Sequence, residues 1–307
     1  MKIVVDKNDC VVGYLIAAAF VDDLRFFGTE PERVKYMADV KSRLKVTFEE
    51  PPVTEFVSIE TYQCMKTNTC ELKMPRYFKK AAVAFASFFP KGLKERVVPM
   101  SVADEKLVGI VPTEEEILEA KYLPFRQILG VLSYPASQCH FAMKYSISVL
   151  GSRRGGWNKE QFEVLLKVFE YGVHTCEIGV IYSKGLDPHG DNTLYAYADA
   201  SLSLPRSYGC RITMMNGGAV LFKAKKQALT APSTVWSEME VFYDQTTDVL
   251  GLRNLLAELG MYQQRPTPIY GDNESQQKIA NNRGSLGQTS RAMDLKTLAS
   301  RNRIEDH

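Results

Sequence analysis

Three carboxylates stand where a fold could gather them. Asp199 lies in Tyr195-Ala-Tyr-Ala-Asp-Ala200, Glu238 in Ser233-Thr-Val-Trp-Ser-Glu-Met-Glu240, and Asp272 just past Thr267-Pro-Ile-Tyr-Gly271. Singly, each has an ordinary role: an Asp at a strand end caps a turn, and a Glu in a first helical turn favours the macrodipole. Together they suit a divalent cation. In-line hydrolysis of a phosphodiester benefits from two Mg²⁺ about 3.5–4 Å apart, one activating water and one stabilising the leaving oxygen. Mg²⁺ takes hard oxygen ligands, so converging carboxylates are its expected partners. Two further groups could do chemistry. Asp22 and Asp23 sit together in Phe20-Val-Asp-Asp23, and Lys223, Lys225 and Lys226 could contact phosphate, although such a run is more often a solvated strand end.

Acids this far apart meet only if strand ends and a helix turn converge. Two short apolar runs flank Asp22-Asp23 between residues 11 and 28, which predicts a β-hairpin with acids at its turn. Residues 30–44 follow as a helix opened by Glu30-Pro31-Glu32, with Val34, Met37, Val40 and Leu44 on its apolar face. Strands are expected at 54–63 and 69–74, a helix from Pro75 to about Phe88, and a loose connection over 90–112. A helix over 125–150, broken near Pro135, precedes an amphipathic one over 157–171 carrying Phe162, Leu165, Leu166 and Phe169. A strand near 176–182 leads into Gly185-Leu-Asp-Pro-His-Gly-Asp-Asn192, whose turn residues mark residues 186–193 as the linker. Beyond it the pattern becomes β, β, β, α, β, α: strands at 194–200, 208–215 and 218–223, a helix over 235–259, a strand at 267–271 ending on Asp272, and a helix. A polar loop over 283–291 and a short terminal helix complete the reading. The fold class is α+β or α/β, in two domains spanning residues 1–185 and 194–307.

Composition is consistent with such a chain. Of 307 residues, 45% are hydrophobic and 24% charged, and 38 basic against 36 acidic residues leave a net charge of +2. That balance is not the strongly basic one of a dedicated nucleic-acid binder, so only local patches could serve. The six cysteines include one close pair, Cys64 and Cys70, spaced too widely for a CxxC zinc site. His140, His174, His189 and His307 do not complete a ligand set with it, so reduced thiols in an intracellular protein, cytoplasmic or nuclear, are expected. The longest apolar run, Tyr14 to Val21, is far short of the roughly 20 residues that span a bilayer, and no leader sequence is visible, so no membrane is expected as a partner.

Several blocks carry a family resemblance. Tyr197-Ala-Asp-Ala200, Arg206-Ser-Tyr-Gly209 and Gly217-Gly-Ala-Val-Leu-Phe-Lys-Ala-Lys-Lys-Gln227, then Ser233 to Glu238, Leu252-Arg-Asn-Leu-Leu256 and Ile269-Tyr-Gly-Asp-Asn-Glu-Ser275, resemble the RNase H domain of copia-type retrotransposon polyproteins. The blocks are co-linear over about 110 residues. Upstream, Phe20-Val-Asp-Asp23 resembles the reverse transcriptase YVDD box, Phe56-Val-Ser-Ile-Glu60 the FLGIE strand with Ser58 in place of Gly, and Tyr122 to Tyr134 the stretch after the palm. Trp157 with its helix and Tyr182-Ser-Lys-Gly-Leu-Asp187 resemble the segments leading into RNase H.

The resemblance implies a partial reverse transcriptase palm with thumb and connection helices, followed by an RNase H-like mixed sheet flanked by helices. It implies Asp199, Glu238 and Asp272 as the metal-binding acids. Glu240 is the near competitor, and the distance back from Leu252-Arg-Asn-Leu-Leu256 favours Glu238. Asp294 matches a family position that can approach the site. Polymerisation in the family needs an earlier palm acid and the fingers, which precede the YVDD box. Only 19 residues precede Phe20, and Asp6 and Asp9 lack the motif, so polymerase activity is not expected of this chain alone. The family's last strand and helix, bearing a fourth acid, lie beyond the 35 residues that follow Asp272, so the expected product is truncated at both ends. Two functions follow. One is Mg²⁺-dependent cleavage of RNA in RNA–DNA hybrids; the other is an inactive element product that binds nucleic acid, protein or other parts of the polyprotein.

Overall fold

The computed structural model describes residues 2–5, 11–21, 23–47, 54–153, 155–202, 206–228 and 230–274, and these described residues form three β-sheets and eight α-helices. Strands β1 (Lys2–Val5), β2 (Val11–Phe20) and β3 (Asp23–Gly28) form an antiparallel sheet in that order, packed by α1 (Glu30–Arg43). Phe20 at the end of β2 pairs with Asp23 at the start of β3, as the two flanking apolar runs require, and Val21 has a positive φ of 53°. The expected single strand over 54–63 is instead a hairpin: β4 (Glu55–Phe56) folds back on β5 (Ile59–Cys64). Val57 and Ser58 turn the chain with φ of 47° and 64°, the two left-handed residues of a tight hairpin turn. The sequence hid that turn because neither Val57 nor Ser58 is the glycine or asparagine that a left-handed position favours. Strands β6 (Thr69–Lys73) and β7 (Val180–Ser183) complete this second sheet in the order β4-β5-β6-β7.

Helices then build the main core. α2 (Pro75–Ala84), α5 (Phe125–Gln138), α6 (Lys144–Gly151) and α7 (Lys159–His174) bury Phe78, Phe125, Leu132, Leu150, Leu165 and Phe169 completely. The expected loose connection over 90–112 contains α3 (Val102–Gly109), and α4 (Glu114–Ala120) follows it. Each opens on a reciprocal capping box, Ser101 with Asp104 and Thr113 with Glu116. That signature satisfies two orphan amides and makes short helices viable. The helix break lies beyond Pro135 rather than at it, because α5 runs through the proline to Gln138. Pro135 has no N–H to offer the Val131 carbonyl. The Tyr77 hydroxyl donates to that carbonyl at 2.9 Å instead, so the helix tolerates its proline.

The segment 186–193 is a bonded turn rather than a free tether. Buried Asp187 accepts from the amides of Asn216 at 2.9 Å and His189 at 3.0 Å, and the Asn192 and Asn216 side chains bond each other. The third sheet follows: β8 (Tyr195–Ser201), β9 (Tyr208–Met215), β10 (Gly218–Lys226) and β11 (Ile269–Tyr270), in the order β10-β9-β8-β11. α8 (Thr234–Glu258), capped by Ser233, packs mainly on β8 and β9. Phe141 against Phe222 and Tyr145 against Tyr208, with ring centroids 5.2 and 5.4 Å apart, join the helical core to this sheet.

Candidate metal centre

Strand alternation assigns the third sheet two chemically different faces. One face meets α8. Arg211 of β9 reaches Asp244 and Asp248, Thr213 accepts from Gln245, and Gly209 lies against Val241, with Ala196 and Ala198 of β8 buried beside them. A side chain at Gly209 would enter Val241, since a Cβ there would stand 2.4 Å from a valine methyl. The opposite face of β9 and β10 carries Tyr208 and Phe222 and is packed by the helical core. On β8 and β11 that same face stays open, displaying Tyr197, Asp199 and Asp272 at the surface with Tyr270.

Register explains how the acids meet. β11 runs parallel to β8, pairing Tyr270 with Tyr197. Asp272 and Asp199 each lie two residues beyond those tyrosines, so both side chains return to the same face at the same level. Glu238 arrives differently. The Ala196 amide donates toward β11, to the Pro268 carbonyl at 2.9 Å, and by alternation the Ala200 amide points the same way. β11 has ended by then, so that amide lacks a ladder partner. Glu238, in the first turns of α8, accepts from it at 3.2 Å and thereby sits at the strand edge. Oxygens of Asp199, Glu238 and Asp272 all fall within 4.8 Å of one another. Glu240 is not among them. Two residues on a helix turn about 200°, which carries it to another side of α8.

The electrostatics match this crowding. Glu238 is 7% exposed, and burial pushes its carboxyl up to about 7, with Asp199 and Asp272 adding repulsion against the amide's opposing pull. Burial, with Asp199 adding to it, also raises the Cys210 thiol, whose strand position faces Asp199. Among the described residues no ion pair neutralises the three acids. Three carboxylates, one of them with its carboxyl pushed up chiefly by burial, fit a hard divalent cation well.

The other expected site residues are distributed differently. Lys223 and Lys225 point to the α8 face, paired with Asp248 at 2.7 Å and with Asp244 at 3.0 Å, so the structure places them away from the acids. Alternation is the cause, and it puts Lys226 on the acid-bearing face, over the Tyr208 ring. Asp23 is exposed at the start of β3, and among the described residues it joins no group of three potential metal ligands. Asp22 and Asp294, and the helix expected after Asp272, lie outside the described residues. Tyr270, inside the Ile269–Ser275 block, and His189, stacked on it, were not singled out from the sequence.

No protein-family profile matches the chain. Among solved structures, it is similar to a foamy viral protease-reverse transcriptase dRH in complex with double-stranded DNA, with a TM-score of 0.46 and 12% identity over 92% of this chain and 44% of that one. It is similar also to a foamy viral protease-reverse transcriptase in complex with an RNA/DNA hybrid, with a TM-score of 0.43 and 14% identity over 94% of this chain and 34% of that one. The chain therefore spans less than half the length of either.

Proposed function

We propose that this chain is a retroelement-derived product of copia type whose activity is Mg²⁺-dependent hydrolysis of RNA in RNA–DNA hybrids, at a centre formed by Asp199, Glu238 and Asp272. The observation that carries the reading is the convergence within 4.8 Å of three acids already singled out by their order and flanking motifs. The acids argue for phosphodiester hydrolysis; the hybrid substrate comes from the motif resemblance alone. Residues 1–185 are then the palm remnant with its thumb and connection helices, 194–307 the RNase H-like module, and 186–193 the segment between them.

The three carboxylates would hold the metal, which supplies an activated water and a counter-charge for the leaving oxygen. The remaining work falls to the protein. The Ala200 amide fixes one Glu238 oxygen at the strand edge, beside the aspartates. Parallel pairing of β8 and β11 sets the spacing between Asp199 and Asp272. Lys226, over the Tyr208 ring at the end of β10 on the acid-bearing side, is assigned a phosphate contact farther along the incoming strand. Glu238, raised to about 7, would have to give up its proton to hold a cation, so affinity for metal is expected to rise with pH through neutrality.

A labelled RNA–DNA hybrid incubated with the full chain and Mg²⁺ tests the reading. Cleavage is expected, with Asp272→Asn slower by about 10²–10³-fold, the scale for losing one transition-state charge partner. A chain that cuts no faster than Asp272→Asn is not a nuclease at this site. No described helix is long and apolar enough to cross a membrane.

A further inference from the structure

Beside the acids, the open face of the sheet carries a run of aromatic rings that the hydrolytic centre does not use. Tyr197 and Tyr270 are stacked with centroids 5.2 Å apart and planes 29° from parallel. His189 continues the run, stacked on Tyr270 at 5.9 Å and 24°. Buried Tyr195 supports it from below, edge-on to Tyr197 at 6.0 Å and tilted against His189 at 5.2 Å. The rings are held, not loose. The Tyr270 hydroxyl and His189 Nε2 share a hydrogen bond at 2.9 Å, and parallel strand pairing fixes Tyr270 opposite Tyr197. Yet Tyr197 and Tyr270 remain 46% and 43% exposed. Two tyrosines fixed by neighbours while leaving nearly half their surface in water form a pre-organised apolar platform.

We propose that the Tyr197 ring, held from behind by Tyr270, forms a base-stacking platform, which takes an unpaired nucleotide of the strand whose phosphodiester lies at the acids. The proposal rests on the nuclease reading above and names the substrate feature that it selects. Each tyrosine precedes its aspartate by two residues, about 6.6–6.8 Å along a strand. That is close to two base rises of 3.4 Å, so the platform serves a nucleotide one or two steps from the phosphate at the metal centre. Bases inside a duplex are already stacked and offer no free face, whereas an unpaired base does, and aromatic side chains accept any base. The occupant is therefore a single-stranded extension at the end of a hybrid, and the enzyme favours cuts near that junction.

The test uses the full chain with two hybrids of equal length, one blunt and one with a short RNA overhang carrying 2-aminopurine. In EDTA, binding to the overhang hybrid is expected to quench the probe. In Mg²⁺, the overhang hybrid should be cut with a KM about 10-fold below that of the blunt one. Tyr197→Leu and Tyr270→Leu keep an apolar side chain but remove the ring, and each is expected to abolish both the quench and the preference. Tyr270→Phe, which keeps the ring and loses the bond to His189, should retain most of each. Thermal melts confirm that each variant folds; if either leucine variant does not, its Phe counterpart and the wild-type overhang preference decide. Quenching and overhang preference that survive loss of the rings, or that are missing in the wild type, overturn the platform. Quenching by the wild type without any cutting overturns the nuclease reading and leaves the platform standing.

Discussion

The two faces of the third sheet hold charged clusters of opposite design. Toward α8, three cations meet two acids: Arg211 bonds Asp244 and Asp248, Lys223 bonds Asp248, and Lys225 bonds Asp244. Toward the open side, Asp199, Glu238 and Asp272 meet one another with no described cation in an ion pair. The first arrangement ties a helix to a sheet. The second costs stability, because like charges are pressed together, and burial holds Glu238 near-neutral. Groups kept in a strained electrostatic state beside solvent mark functional sites more often than structural ones. The difference thus separates what the sheet uses to stand from what it holds ready for a ligand.

The largest effect is expected on the structural face. Arg211 is 6% exposed and serves two carboxylates. Arg211→Ala removes the cluster's one buried cation and leaves half-buried Asp248 and Asp244 with Lys223 and Lys225 alone, which costs about 2–3 kcal/mol, between an exposed and a fully buried pair. A fall of that size in urea-unfolding stability is expected, while cleavage per folded molecule stays near wild type. A loss below about 1 kcal/mol would mean that this face is no more structural than a surface ion pair, and the contrast would fail.

Much of this was legible beforehand, and for identifiable reasons. The three acids were found because their chemistry depends on residue type and on short flanking motifs, both of which are local. The strand over 194–200 and the helix over 235–259 that carry Asp199 and Glu238 were read correctly too, although the apolar stripe of that helix is weak. Facing was harder. Lys223, Lys225 and Lys226 form one basic run in the sequence, yet a period of two splits them between opposite faces, and only the pairing of β10 with β9 says which is which. Long-range satisfaction was harder still. Nothing near Pro135 shows that Tyr77 will bond the Val131 carbonyl, so the break expected near the proline comes only after Gln138. Short helices such as α3 were overlooked because their capping boxes outweigh a weak apolar face. At Val57-Ser58, a β-branched residue occupies a left-handed position that glycine or asparagine would announce.

A middle-sized effect tests the functional face without any substrate. Glu238 titrates at about 7 in the folded chain against an ordinary 4.5, so the folded state binds its proton more tightly than the unfolded state does. Stability from this group is therefore present at low pH and is lost as pH rises from about 4.5 through about 7. The melting temperature of the metal-free chain should rise as pH falls from about 8 to about 6, before the other carboxylates protonate. Glu238→Gln keeps an oxygen for the Ala200 amide but carries no charge. It is expected to flatten that slope and to stabilise the metal-free chain at about pH 8 by roughly 1–2 kcal/mol. Millimolar Mg²⁺ should stabilise the wild type and leave Glu238→Gln nearly unmoved. A variant that melts lower than wild type at pH 8 would show that the three acids are not in conflict.

The smallest effects offer the sharpest contrast, because they compare neighbours in sequence. Lys225 is paired with Asp244 on the α8 face, its side chain 58% exposed, whereas Lys226 stands on the acid-bearing face. An exposed pair contributes about 0.2–1 kcal/mol, so Lys225→Met should lower stability by no more than that. It should leave hybrid binding unchanged. Lys226→Met should do the reverse, leaving the unfolding midpoint in place while weakening hybrid binding. If Lys226 meets a phosphate, the slope of log K against log salt falls by about 1 for that variant and not for Lys225→Met. Binding measured across a salt series in EDTA separates the two. Equal slopes for both variants would mean that the faces share the nucleic acid, and the division of labour within this sheet would have to be abandoned.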